Sequence, residues 1–369
     1  MTEAHPLLAP VRAALNTVID PELRRSIADL GMIGPIEIDD QARVAVTIWL
    51  TTPLCPLQNR LTEDVTQAVS QVEGVAGVQV TMTPMNDQQR EALRARLSPA
   101  HEIPFAQPGS PTRVIAIASG KGGVGKSSLT VNLACALVDL GQRVGLLDAD
   151  IYGHSVPDLL GIPEDDGPTT IEGMNLILPA ESHGIKVMSI GMMKPSRDQV
   201  VAWRGPVVDR AITQFLSDVY WGDLDVLLID LPPGTGDTAI GLGQKLPNAD
   251  VIVVTTPQVA ATEVAERAGT MAMMMKQHVL GVVENMSFLD TVCPHCGTPH
   301  RVDIFGTGGG ARIAATLTGR LGYDVPLLAE IPLEPDFSQA GDQGTPPVVT
   351  DPASPAAAAI IALAERLIA

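Results

Sequence analysis

The residues with the clearest chemical potential form the glycine-rich segment GKGGVGKS at 120–127. It fits the pattern G-x-x-x-x-G-K-[ST] and stands between an apolar run, RVIAIAS, and a helix-like stretch, SSLTVNLACALVDLG. In such a segment the backbone N–H groups surround a phosphate, the lysine reaches the β- and γ-oxygens, and the hydroxyl ligates Mg²⁺. We therefore predict a nucleotide-phosphate site with Ser127 as a magnesium ligand. It consists of Gly120, Lys121, Gly122, Gly123, Val124, Gly125, Lys126, Ser127 and Ser128.

Two apolar stretches end in carboxylates, which a nucleotide hydrolase needs to hold Mg²⁺ and to orient water. LLDAD contains Asp148 and Asp150, and VLLID ends at Asp230, before LPPGTGD and Asp237. An acidic residue after four apolar ones is the Walker B arrangement, so we predict Asp230 on the magnesium side. For Asp148, capping of the following turn is an equally good interpretation.

Lys121 is an addition to the ordinary pattern. A second lysine early in the loop can place another cation near the phosphates or reach the nucleotide of a neighbouring subunit. The alternative is a solvated surface charge. The residues alone leave both interpretations open.

Cys293 and Cys296 stand together as CPHC. Two thiolates are half of the four ligands of a tetrahedral zinc ion or a [4Fe-4S] cluster, and the chain has no second C-x-x-C. A two-fold dimer would supply the other half. The rival interpretations are an intrachain zinc site that adds His295 and His300, and a redox or unliganded pair.

Seven apolar runs alternate with helix-like stretches from residue 113 onward, which predicts an α/β fold with a doubly wound, mostly parallel sheet. Ligands on such sheets bind at the carboxyl ends of the strands. The alanine-rich end of the chain is predicted to be a last helix on the sheet. The runs are RVIAIAS at 113, RVGLLDAD at 143, GIKVMSIG at 184, DLDVLLIDLPPG at 223, ADVIVVTTP at 249, VLGVVENMS at 279 and DVPLLAEIP at 324.

The first part of the chain has a different pattern. Residues 1–96 are predicted to form a small α+β domain, with helices at 8–19 and 56–72 and strands at 42–51 and 75–83. Residues 97–112 contain four prolines and little periodicity, which is typical of a linker. The second domain is then 113–369.

Charge and composition exclude several function classes. The chain of 369 residues carries 24 Lys and Arg against 42 Asp and Glu, a net charge of −18. Because nucleic acids and anionic membranes are bound through Lys and Arg, we expect neither as a partner. No stretch is apolar enough for a membrane span and no signal peptide is recognisable, so we expect a cytoplasmic protein.

Four motifs in order, GKGGVGKS, LDADIYGHS, LIDLPPGTGD and VVENMS, resemble the deviant Walker A ATPases of the MinD, ParA and nitrogenase iron-protein superfamily. Within it, CPHC followed by IFGTGGG is similar to the Mrp/ApbC iron-sulfur carriers. The resemblance implies a homodimer with ATP between subunits and a [4Fe-4S] cluster at the interface.

The resemblance also assigns roles by position. Lys121 corresponds to the signature lysine acting across the dimer, Asp150 to the aspartate that orients the attacking water, and Asn285 to the asparagine that recognises adenine. For Asn285, the alternative interpretation is a turn residue at a strand end. Asp230 and Asp237 fall in the second switch segment.

The first domain, through IDPELRRSIADLGMI and TTPLCP, resembles SufT-type iron-sulfur maturation factors, with Cys55 at their characteristic cysteine. A buried, inert cysteine is the alternative there. Cys135, in the middle of a predicted helix, is expected to belong to the core.

Two functions compete. The first is an ATP-hydrolysing carrier that transfers a [4Fe-4S] cluster to apo-proteins. The second is a MinD- or ParA-like positioning ATPase with a structural zinc site, which explains the CPHC pair less well. The methionine-rich run MAMMM at 271–275 is expected to be core.

Overall fold

A computed structural model of the chain describes residues 5–21, 23, 25–50, 58–97, 103–150, 153, 155–171, 176–193, 205–258, 267 and 269–369. The chain divides into two compact units. The first comprises 1–102 together with 170–177, and the second comprises 103–169 and 178–369.

The first unit is a three-stranded sheet with three helices. Strand β1 (Ile33–Ile38) pairs antiparallel with β2 (Arg43–Leu50), which pairs parallel with β3 (Gly77–Pro84). The helices are α1 (Leu8–Leu15), α2 (Gln58–Ser70) and α3 (Asp87–Leu97). Alternate residues of β2 are buried, as expected of a strand with one covered face.

Two elements of this unit lack a sequence signal. Strand β1, IGPIEI, contains a glycine and a proline, which argue against a strand, and α3, DQQREALRARL, has few apolar residues to mark a buried face. Pairing with β2 therefore decides the conformation of β1.

The second unit is built on an eight-stranded sheet in the order β15-β12-β11-β4-β10-β5-β9-β8. All neighbours are parallel except β8, which pairs antiparallel with β9 at one edge. The predicted doubly wound α/β sheet is confirmed, and each of the seven apolar runs forms a parallel strand. The strands are β4 (Arg113–Ser119), β5 (Val144–Asp148), β8 (Ala180–Ser182), β9 (Ile185–Ser189), β10 (Val226–Asp230), β11 (Asp250–Thr255), β12 (His278–Asn285) and β15 (Leu327–Ile331).

Helices cover both faces of this sheet, which is why its central strands are buried along their whole length. The helices are α4 (Lys126–Asp139), α5 (Val156–Leu159), α6 (Gly205–Ser217), α7 (Asp237–Lys245), α8 (269–274), α9 (Gly309–Leu321), α10 (Pro335–Asp342), α11 (Pro347–Thr350) and α12 (Pro355–Ile368). Helices α4 and α12 pack on one face, and α7 and α8 on the other. Short 3-10 turns cover Pro104–Ala106 and Ile190–Met193.

The last helix, α12, packs against the edge strand β15, as expected of a helix on the sheet, and also against α4. It begins at Pro355, and the Ser354 side chain accepts a hydrogen bond from Ala357 N at 3.3 Å. Proline at the first helical position and serine before it are favourable at a helix start.

The methionine-rich run is only partly in the core. Met273 and Met274 are 42% and 73% exposed, so the prediction is wrong for these two residues. They lie near the end of α8, where only part of the helix circumference faces the sheet.

Two short strand pairs complete the fold. One is β6 (Thr169–Ile171) with β7 (Leu176–Leu178). The other is an antiparallel hairpin of β13 (Leu289–Val292) and β14 (Pro299–Val302), and the CPHC segment forms its tip. We call this segment, 289–302, the cysteine hairpin.

Candidate functional site

The predicted phosphate segment joins β4 to α4 at the carboxyl end of the sheet. Gly123 and Gly125 have φ of 77° and 76°, which side-chain-bearing residues rarely adopt. The segment borders a cavity of about 690 Å³, a volume suited to a small-molecule ligand. The cavity is lined by Ser119, Lys121, Gly122, Gly123, Val124, Gly125, Lys126, Ser127, Ser128, Asp150, Gly153, Ser155, Val208, Pro232, Pro233, Gly236 and Thr238.

Asp230 is the centre of a polar network beside this cavity. Its Oδ1 lies 2.7 Å from Lys126 Nζ, and its Oδ2 accepts a hydrogen bond from Ser127 Oγ at 2.6 Å. Thr130 Oγ1 lies 2.9 Å from Asp230 Oδ1. Asp230 is fully buried, and these contacts offset the cost of removing its charge from water. The Ser127 hydroxyl and the Asp230 carboxylate are hard oxygen ligands of the kind that Mg²⁺ requires.

Asp148 lies next to Asp230 because β5 and β10 are adjacent and in register. Its carboxylate accepts hydrogen bonds from Ser189 Oγ at 2.8 Å and from Asp150 N at 3.0 Å. Burial, followed by the neighbouring Asp230 carboxylate, raises the pKa of Asp148 to about 8. Asp148 therefore contacts the turn after β5, as the capping interpretation requires, and also adjoins the predicted magnesium side.

Asp150 lines the cavity and is 7% exposed. Its Oδ1 accepts a hydrogen bond from Gly153 N at 2.9 Å. Asp237 begins α7, immediately after the loop that follows β10.

Lys121 makes a specific contact within its own chain. Its Nζ donates to Gln258 Oε1 at 2.8 Å, just after β11. A bound amide oxygen holds the ammonium group in place, so Lys121 differs from a freely solvated surface lysine.

Asn285, at the end of β12, supports the phosphate segment. Its Nδ2 donates to the Val124 carbonyl at 2.9 Å, and a Cβ at Gly125 would clash with this amide. The adenine-binding role implied by the resemblance stays a prediction, and the contact with Val124 leaves the Asn285 Oδ1 acceptor available for it.

The cysteine hairpin presents two thiols at its tip. Cys293 is half-buried and Cys296 is exposed, and the turn between them is closed by Gly297 N donating to Cys293 O at 2.9 Å. Hydrogen bonding with the Thr298 side chain and backbone, and then with Cys293, lowers the pKa of Cys296. A lowered pKa increases the thiolate fraction, and thiolate is the form that binds metals.

Cys293 and Cys296 have no third metal ligand close by among the residues that the structure describes. Across all described residues, no three His, Cys, Asp or Glu side chains converge as a metal site, and these residues include His295 and His300. Among the described residues, the pair thus offers two of the four ligands of a tetrahedral set.

Cys135 differs from this pair. Cys135 is buried in α4, where burial raises the pKa of its thiol to about 12, in agreement with the expected core position. Cys55 lies outside the described residues.

Comparison with protein families decides which group of P-loop proteins carries these features. The family described as ParA, NUBPL iron-transfer P-loop NTPase, matches residues 110–368, most of the chain. The chain belongs to this family. A second family, described as iron-sulfur cluster assembly protein, matches residues 8–82.

Relatives of this NUBPL-type NTPase match nearly the whole length of the chain. A Mycobacterium tuberculosis protein named iron-sulfur cluster carrier protein is 52% identical over 351 residues, which cover 94% of this chain and 90% of the relative. A Synechocystis protein of the same name is 41% identical and covers 97% and 96% of the two chains.

Solved structures agree on the fold of the second unit. A nucleotide-binding protein from Archaeoglobus fulgidus, in complex with ADP and with cobalt, is 37% identical with a TM-score of 0.53. The match covers 63% of this chain and 87% of that one. The cell-division ATPase MinD of Pyrococcus furiosus is 25% identical with a TM-score of 0.51, over 69% and 98% of the chains.

Within the described part of this NUBPL-type NTPase, no helix has both the length and the apolar character needed to cross a membrane.

Four polar residues in or near the site escape the motif analysis, and three of them have a partial signal. Thr130 follows Lys126 by four residues and so lies on the same face of α4. Ser189 and Glu284 are polar residues at the ends of apolar strands, as Asp148 and Asp230 are. Gln258 follows the end of β11 and carries no signal that would pair it with Lys121.

Proposed function

We propose that this protein is an ATP-binding and ATP-hydrolysing carrier of iron-sulfur clusters. It assembles a [4Fe-4S] cluster, its cargo, between two copies of the chain and transfers it to apo-proteins. One observation carries the proposal: in a family of iron-transfer NTPases, the cysteine hairpin offers two thiols, and the described residues supply no third metal ligand beside them.

The position of the thiols favours a shared cluster. They lie at the tip of a hairpin, and Cys296 is exposed, so a second copy can approach it. A two-fold axis through the tip brings together four thiols, the set that a [4Fe-4S] cluster needs. The lowered pKa of Cys296 favours the thiolate, which is the ligating form.

The nucleotide site supplies the switch. Lys126 and the loop N–H groups bind the phosphates, Asn285 recognises adenine, and Asp150 orients the attacking water. Mg²⁺ would be held by Ser127 and Asp230, and when bound it neutralises charge on the phosphates. Lys121 leaves Gln258 and acts on the nucleotide of the other copy. ATP hydrolysis then changes the arrangement of the dimer, since a γ-phosphate contact is gained and lost.

The decisive experiment is anaerobic reconstitution with iron and sulfide, followed by iron, sulfide and zinc analysis and by the mass of the assembly. We expect about four irons per two chains in a dimer. One zinc per chain without iron would refute the carrier function and favour the positioning ATPase with a structural zinc site.

A further inference from the structure

Glu284 is a buried carboxylate that the nucleotide chemistry above does not use. It is 1% exposed, and its Oε2 accepts a hydrogen bond from Gly310 N in the first turn of α9. The positive end of a helix dipole stabilises a carboxylate at this position. The contact therefore fixes the start of α9 to the end of β12.

The next residue, Asn285, contacts the phosphate segment instead of α9. Its side chain donates to Val124 O of the phosphate segment. Because neighbouring side chains of a strand point to opposite faces, Glu284 and Asn285 connect β12 to α9 and to the phosphate segment respectively.

The cysteine hairpin lies between these two attachments. The chain leaves β12 at Asn285, forms the hairpin, and enters α9 at Gly309. A Cβ at Gly309 would lie 2.7 Å from the Pro257 carbonyl, so α9 also packs tightly on the residue before Gln258, the partner of Lys121. One end of the segment that carries the thiols, Asn285, thus contacts the phosphate segment directly. The other end, the start of α9, packs on Glu284 and Pro257, which precede Asn285 and Gln258, two residues that contact the phosphate segment.

The attachment leaves little room for independent movement. A Cβ at Gly310 would lie 2.8 Å from Glu284 Cβ and 2.9 Å from Leu327 Cδ1. In such close packing a displacement of one group forces a displacement of its neighbours.

We propose that Glu284 is a positioning residue that transmits the state of the nucleotide loop to the cysteine hairpin. A change at Val124 moves Asn285 and with it β12, and Glu284 passes this movement to the start of α9. The role of this coupling in cluster transfer rests on the proposed function. The coupling itself can be measured in the metal-free protein, through the reactivity of its thiols.

The test measures alkylation rates of Cys293 and Cys296 in the reduced, metal-free full chain. Iodoacetamide labelling is followed by peptide mass spectrometry, with and without a magnesium complex of a non-hydrolysable ATP analogue. We expect the analogue to change the wild-type rates about fivefold or more, a common size for coupling between sites.

The labelling ratio is the alkylation rate with the analogue divided by the rate without it. In Glu284→Ala we expect this ratio to fall to about one, while the affinity for the analogue stays within about threefold of the wild-type affinity. Glu284→Gln keeps an acceptor for Gly310 N and is expected to restore the ratio. A merely structural role would change the rates equally with and without the analogue. A wild-type ratio in Glu284→Ala, or a ratio of one in wild type with the analogue bound, overturns the proposal.

A second pair of variants tests the contact from the side of the helix. Gly310→Ala introduces the close contacts with Glu284 and Leu327, and we expect it to abolish the ratio too. Gly319→Ala is the matched control in the same helix, because a Cβ there meets nothing within 4 Å, and it should keep the wild-type ratio. A normal ratio in Gly310→Ala would contradict the proposal even if Glu284→Ala fails to fold.

The outcomes separate this inference from the proposed function. If the protein loads iron but the labelling ratio does not depend on Glu284, the coupling is refuted and the proposed function is not. A Glu284-dependent ratio in a protein that takes up zinc and no iron refutes the carrier function alone.

Discussion

Lys126 and Asp230 form a buried ion pair, with Nζ and Oδ1 2.7 Å apart and the two side chains 6% and 0% exposed. The lysine that the motif assigns to phosphate is therefore already bound to the carboxylate assigned to magnesium. A phosphate that attracts Lys126 competes with Asp230, so nucleotide binding and the stability of this network are linked.

Replacement of this lysine tests the phosphate assignment. In Lys126→Ala we expect ATP affinity to fall at least about 100-fold, because both the phosphate contact and the compensation of buried Asp230 are lost. Isothermal titration measures the affinity. Lys245→Ala is the control, because its pair with half-exposed Asp209 is a surface contact. Normal ATP affinity in Lys126→Ala would refute the assignment.

The raised pKa of Asp148 predicts a pH dependence of stability. The folded protein keeps this proton up to about pH 8, whereas the unfolded chain loses it near the ordinary aspartate pKa of 3.8. The free energy of unfolding should therefore decrease as pH rises between these values, by at most about 1.4 kcal/mol per pH unit.

We expect nucleotide-free Asp148→Asn to remove this decrease, since the amide does not titrate. Urea unfolding between about pH 5 and pH 8 measures the slope. Asp139→Asn, at an exposed position at the end of α4, should keep the wild-type slope. Parallel profiles for wild type and Asp148→Asn would contradict the prediction.

The contact between Lys121 and Gln258 predicts an effect on self-association. If Lys121 acts across the dimer, it must first leave Gln258. The contact between Lys121 and Gln258 therefore stabilises the monomer relative to the dimer. In Gln258→Ala we expect ATP-dependent dimerisation to strengthen about tenfold or more, which corresponds to the loss of one hydrogen bond of a charged group. Sedimentation velocity measures the dimer fraction.

Lys121→Ala serves as the counterpart, because it removes the same contact together with the proposed cross-dimer cation. It should weaken the ATP-dependent dimer. Equal dimer fractions in wild type and both variants would show that Lys121 has no role between the chains.

If the cysteine hairpins of two chains share a cluster, removal of one thiol should cause the loss of both the iron and the dimer. In Cys293→Ala we expect most of the iron after reconstitution to be lost and the cluster-loaded dimer to dissociate, because one thiol is missing from each half of the site. Iron analysis and native mass spectrometry check both. Cys135→Ala removes a buried thiol instead and should load normally. Unchanged iron in Cys293→Ala rules out the shared cluster.

The local features of the chain can be predicted from its sequence. The phosphate segment is contiguous, so its glycines, Lys126 and Ser127 are recognisable wherever the flanking strand and helix lie. The seven parallel strands are equally readable, because buried strands are continuous apolar runs. The CPHC spacing likewise predicts two paired thiols without reference to the fold.

Relationships between distant residues were decided only by the tertiary structure. Asp148 adjoins Asp230 because β5 lies beside β10, and the sequence of neither strand indicates this order. The partners Lys121 and Gln258, and Glu284 and Gly310, meet for the same reason. Strand β1 adopts its conformation through pairing with β2 despite its proline, and Met273 and Met274 are exposed because α8 covers the sheet with other residues. Such contacts depend on strand order and on helix rotation, which are properties of the packed chain and not of any local pattern.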